Sequence, residues 1–89
     1  MQTIAFSLWG SRISPVYESS TQLQLIGLKD SQTAWQKKLS LYRLSQMESI
    51  KILSENNVDT LICGAISNVY ANMIQAQGIE LLAFISGNF

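Results

Sequence analysis

The sequence contains no histidine. That absence removes the commonest general base near neutral pH and the commonest nitrogen ligand of transition metals. Cys–His and Ser–His nucleophilic pairs go with it. There is one cysteine, Cys63. A lone cysteine excludes an intrachain disulfide and fits a reducing compartment, so a cytoplasmic location is expected. Charge is scarce as well, with six basic and six acidic side chains that cancel. Arg12, Lys29, Lys37, Lys38, Arg43 and Lys51 are scattered along the chain. Nucleic-acid surfaces and polybasic membrane anchors need clustered positive charge, so neither partner is expected. No apolar run approaches the ~20 residues that span a bilayer. The N-terminus lacks the basic patch and cleavage site of a signal peptide. Phosphate loops and dinucleotide fingerprints are missing too. The first apolar segment, TIAFSLW, carries no acid for a paired-metal nuclease centre. A protein that is not an enzyme is the expectation.

What is present is a foldable chain. Hydrophobic residues make up 47% of the sequence against 13% charged, which predicts a packed domain. A single domain over residues 1–89 is expected, large enough for one modest core. TIAFSLW (3–9) alternates as a strand, and GSRISPVYESS (10–20) reads as a loop ordered by Pro15. QLQLIGL (22–28) alternates again, KDSQ (29–32) is turn-like, and TAWQKKLSLY (33–42) is a third strand. Ser45 and Glu48 form an S-x-x-E capping box, which opens a helix over 45–56 with Met47, Ile50 and Leu53 inward. Asn56-Asn57 supplies a residue tolerant of the left-handed conformation that ends many helices. VDTLICGA (58–65) reads as a strand covered on both faces. SNVYANMIQAQG (67–78) is a second helix with Tyr70, Met73 and Ile74 inward and Gly78 as its stop. IELLAFI (79–85) is a last buried strand before SGNF. The first three strands form an antiparallel meander, and right-handed crossovers make the last three parallel neighbours.

IAFSLWGSRISPVYESS near the start and NNVDTLICGAISNVYANMIQAQGIELLAFISG near the end carry a resemblance. Together they resemble the NifX-type, dinitrogenase iron–molybdenum cofactor biosynthesis domain family. The resemblance implies an α/β, ribonuclease-H-like fold: a mixed five-stranded sheet, meander then β-α-β-α-β, with helices packed on it. It also implies non-enzymatic binding of an iron–sulfur or iron–molybdenum cluster. Carriers of this family use a histidine, which this sequence lacks. Family domains continue with a further helix after the last strand. The chain here is expected to lack that helix and to cover IELLAFI with a second copy, as a homodimer.

The candidate site follows from the general rule that open α/β sheets bind ligands beyond the carboxyl ends of their parallel strands. Cys63 and Gly64 close one strand and Ser67 opens the next helix. Arg12 and Ser14 lie in the loop that leaves the first strand. Free amides over Ala65 to Asn68 and the charge of Arg12 would suit an anionic cluster. Cys63 has two readings: a thiolate that binds metal by one bond, or a small, inert residue buried in a strand. Arg12 pairs either with a ligand anion or with an acid such as Glu18. Ser14 shapes its loop or touches the ligand, Gly64 allows close backbone approach, and Ser67 is an N-cap. Two functions follow from these alternatives. One is a cluster carrier; the other is a regulatory or vestigial module that binds another protein without metal.

Overall fold

A computed structural model describes residues 1–88; Phe89, the end of the SGNF segment, lies outside the described residues. The chain forms strands β1 (Gln2–Trp9), β2 (Arg12–Ile13), β3 (Gln22–Lys29) and β4 (Gln32–Ser40). Helix α1 (Gln46–Glu55), strand β5 (Thr60–Ile62), helix α2 (Asn68–Ala76) and strand β6 (Glu80–Leu82) follow. The main sheet runs β4-β3-β1-β5-β6, with β2 added on β1. It is a mixed six-stranded sheet, one strand more than expected. The extra strand arises where Gly10, at a positive φ, turns the chain back so that Leu8 faces Ile13 and Trp9 faces Arg12.

Local chemistry accounts for the element ends. β3 and β4 join through Asp30 and Ser31, both at positive φ, the two-residue turn whose twist matches a hairpin. The capping box forms as expected: the Glu48 amide donates to Ser45 Oγ (3.1 Å) and the Ser45 amide to Glu48 Oε1 (3.0 Å). α1 ends where the Val58 amide reaches the Leu53 carbonyl and the Asn57 amide the Ser54 carbonyl, with Asn57 left-handed. That pair of bonds is a Schellman motif. Gly78, at φ +83°, stops α2. Trp35 lies across Gly27, its cross-strand partner, in space a Cβ would need.

Strand placement departs from expectation at one point. β5 pairs with β1 and β6, not with β4: Ala5 faces Leu61, and Leu61 faces Leu81. The reason lies in the side chains. β4 exposes Gln32, Thr33, Ala34, Gln36, Lys37 and Lys38, a composition fit only for an edge. β1 carries no charge, is buried or half-buried from Thr3 to Leu8, and takes the middle.

Both helices lie on one face. Ile50 and Leu53 of α1 and Ile74 of α2 pack on Ala5, Leu23, Leu25, Leu61 and Cys63. Burying each of the larger of these contributes about 1.5–3 kcal/mol. Met47 is 57% exposed, contrary to its expected inward place, because a ten-residue helix buries only the arc through Ser49, Ile50 and Leu53. Met73 is partly buried. The opposite face carries Ile4, Ile26 and Ile62, all half-buried and outside the helix-side core. Burial holds for β5 at Thr60 and Leu61, which lie on opposite faces, but the expectation of a buried last strand is wrong for β6, where Glu80 and Leu82 are exposed. Only one layer of helices exists among the described residues, and Leu82 is 43% exposed.

Candidate functional site

β1 and β5 run parallel side by side, so the loops after them meet at one end of the sheet. They meet as contact between backbones. The Ala65 amide donates to the Pro15 carbonyl (2.8 Å), and the Tyr17 amide donates to the Ala65 carbonyl (2.7 Å). Val16 and Ala65 form a parallel bridge. Gly64 lies under this contact, where a Cβ would run into the carbonyl oxygens of Ser14 and Pro15. Its role is close approach for packing.

The segment after β6 completes the seal. The Phe84 amide donates to the Gly64 carbonyl and the Ile85 amide to the Cys63 carbonyl, both at 3.0 Å. Ile13 then donates its amide to Gly87 (3.0 Å), and Arg12 bridges to Asn88.

The expected anion site on α2 is also taken. Ser67 occupies the N-cap position, but its side chain makes no capping bond. The Ser67 amide faces Glu18 Oε1 at 3.5 Å instead. An internal carboxylate thus sits at the positive end of the helix dipole. Glu18 is held in place by its neighbours: its carbonyl accepts from Gln46 Nε2 (2.9 Å). The Tyr17 hydroxyl lies 3.0 Å from Ser49 Oγ. Ser49 gives its own proton to the Gln46 carbonyl (2.9 Å), so Tyr17 is the donor of the pair. Burial pushes the Tyr17 phenol up from its ordinary value.

Cys63 sits beneath this lid with none of its surface exposed. Burial first, and the Glu18 carboxylate second, push its thiol up to about 11. A thiol sealed from solvent under this lid is not presented to a metal. Among the described residues no group of three or more Cys, Asp, Glu or His side chains converges. The residues present do not fit a cluster ligated by the protein. One further buried group stands out beside it. Ser7 and Cys63 each follow two positions after the Ala5–Leu61 pair, and Ser7 Oγ is buried without a hydrogen-bond partner.

Of the expected residues, Ser14 shapes the loop: its hydroxyl donates to the Val16 carbonyl (2.6 Å), and its amide donates to Ser7. Arg12 does not pair with Glu18 among the described residues. Its guanidinium lies 5.1 Å from the centroid of the Trp9 ring, a cation–π contact. Trp9 lines a cavity of about 270 Å³ with Ser14, Pro15, Val16 and Ser19. Trp9 and Val16 remain exposed at its mouth. Sequence reasoning missed this cavity. Its only available signal was a tryptophan placed just before a glycine at a strand end.

The arrangement defines a small α/β domain with a mixed sheet, and solved structures share it. No protein-family model matches the chain, and no curated protein matches it. The crystal structure of PH0822 covers 98% of this chain and 80% of its own at a TM-score of 0.90 and 8% identity. A candidate dinitrogenase of Methanocaldococcus jannaschii, MJ0327, gives 0.78 at 20% identity, over 98% of this chain and 78% of that one. The apo form of the orange protein from Desulfovibrio gigas gives 0.75 at 17%, over 99% and 79%. At these identities the likeness is one of fold. Among the described residues no helix is long and apolar enough to cross a membrane.

Proposed function

We propose that the chain is a small, non-enzymatic binding domain. Its ligand is a preformed anion, such as an iron–sulfur or iron–molybdenum cluster in transit, held without a bond from protein to metal. The observation that carries this reading is the Trp9–Val16 cavity with the Arg12 guanidinium beside it. It is an apolar recess with one cation next to it, at the end of the sheet where the fold gathers its loops. The fold shared with a candidate dinitrogenase and with an orange protein described in its apo form supports the cluster class. The buried thiol supports the absence of a metal bond. Arg12 supplies charge, Trp9 and Val16 supply apolar walls, and Ser14 and Pro15 fix the loop that carries them.

A second reading, a metal-free protein-interaction module, draws on the same buried Cys63 and on Glu18 at the α2 N-terminus. Anaerobic titration with a synthetic, thiolate-capped iron–sulfur cluster anion, followed by visible absorption, separates the two. The expected result is saturable binding, weakened roughly tenfold in Arg12→Ala and unchanged in Cys63→Ala. Loss of binding with Cys63 would restore the thiolate ligand. No binding by any variant would leave the interaction module.

A further inference from the structure

The sheet face opposite the helices has a definite layout, and it is self-complementary. Residues directly paired across strands share a face, so the registers place side chains in rows. One row runs Lys38, Gln24, Phe6, Ile62, Leu82 from the β4 edge to the β6 edge. The next runs Gln36, Ile26, Ile4, Thr60, Glu80. The middle is mainly apolar, with Ile4, Phe6, Ile26 and Ile62 half-buried and the polar Gln24 and Thr60 buried among them. A cation marks one edge and an anion the other, both exposed. Four strand spacings, roughly 19 Å, keep Lys38 and Glu80 from reaching each other within one chain. Among the described residues neither forms an ion pair.

We infer that this face is the interface between two copies of the chain, packed sheet to sheet about a two-fold axis parallel to the strands. That operator places the β4 edge of one copy over the β6 edge of the other. Lys38 then faces the partner's Glu80 end at both rims, while Ile4 packs near the partner's Ile4 and Ile26 near the partner's Ile62 across a layer about 10 Å thick. A two-fold axis perpendicular to the strands would stack β4 on β4 and bring like charges together, so the charge layout selects one operator. Two such faces bury on the order of 1,000 Å² in total, where specific interfaces begin. The isologous arrangement is the usual symmetry of homodimers.

Sedimentation and light scattering over about 1 μM to 1 mM test the inference, a range in which an interface of this size associates. The expected result is a monomer–dimer equilibrium. Ile62→Glu should raise the dissociation constant roughly a hundredfold, with the fold checked by circular dichroism. Lys38→Glu and Glu80→Lys change exposed side chains and leave the core intact. Each alone should weaken association several-fold, and the double reversal should restore it to within about threefold of the parent. A monomer mass at every concentration would overturn the proposal and give the face to a different chain. A dimer indifferent to Ile62 and to both charge reversals would overturn it as well, by placing the contact elsewhere.

Discussion

At the carboxyl end of β1 and β5 the chain satisfies itself. The Ala65 amide goes to Pro15, the Ser67 amide to Glu18, and the Gly64 and Cys63 carbonyls to the segment after β6. On the other face of the same sheet, Ile4, Ile26 and Ile62 have strand neighbours but, among the described residues, no helix packed on them. The first region has the position of a ligand site in open α/β folds, yet its Ala65 and Ser67 amides are occupied. The second has no catalytic chemistry, yet its apolar surface is what association uses. The difference teaches that a site's place in a fold and its capacity to bind are separate properties. At the sealed end, the Trp9 and Arg12 rim still has groups to offer.

The sharpest way to break the sealed end is Gly64→Ala. The added methyl meets the carbonyl oxygens of Ser14 and Pro15, backbone atoms that cannot swing aside. A loss of about 3 kcal/mol in denaturant unfolding is expected. Ile62→Ala on the other face removes more atoms and should cost less, because that side chain is only half-buried. Equal losses would erase the distinction between the two regions.

The next effect depends on pH. The Cys63 thiol titrates near 9.0 when unfolded and at about 11 when folded. Between those values the folded state binds more protons, so stability falls as pH rises. The loss begins above about 9 and reaches about 2–3 kcal/mol by pH 11. Cys63→Ala should flatten this part of the profile, whatever it does to the absolute level. A parent profile with the same slope as the variant would mean that the thiol is not sealed.

Much of the framework was legible because it is local. The Ser45–Glu48 box, the left-handed Asn57 and the Gly78 stop each depend on residues within one turn, and they formed where the spacing placed them. Pairing between distant segments was not legible. Nothing near Thr60–Ile62 says that its neighbour is β1; that follows from the polarity of β4, which leaves it fit only for an edge. The candidate site failed in the same manner. Cys63, Gly64 and Ser67 lay where a ligand site belongs, but the Pro15 carbonyl and the Glu18 carboxylate that occupy their surroundings come from about fifty residues away. The rise in the Cys63 pKa follows from that burial and from that same Glu18.

Tyr17→Phe sharpens the comparison further. The hydroxyl is buried and gives its proton to Ser49, tying the loop to α1. Its removal should cost about 1 kcal/mol, with Ser49 still able to donate to Gln46. Hydrogen exchange at the Ala65 and Tyr17 amides should rise together, since both lie in the contact that this side chain anchors.

The smallest expected effect has the opposite sign. Ser7 Oγ is buried beside Cys63 and has no partner, while the Ser7 carbonyl accepts from Ser14. A buried hydroxyl without a partner forfeits its solvation and gains nothing in return. Ser7→Ala keeps the backbone bond and removes only that oxygen, so stability should rise by about 1 kcal/mol. The substitution also probes the seal from inside. If a water or a bound anion reached Ser7, the hydroxyl would be satisfied and the same change would lower stability. A gain in stability that persists in the presence of the cluster anion would place the ligand outside the seal, at the Trp9 rim. A gain that turns into a loss when the anion is added would place it within.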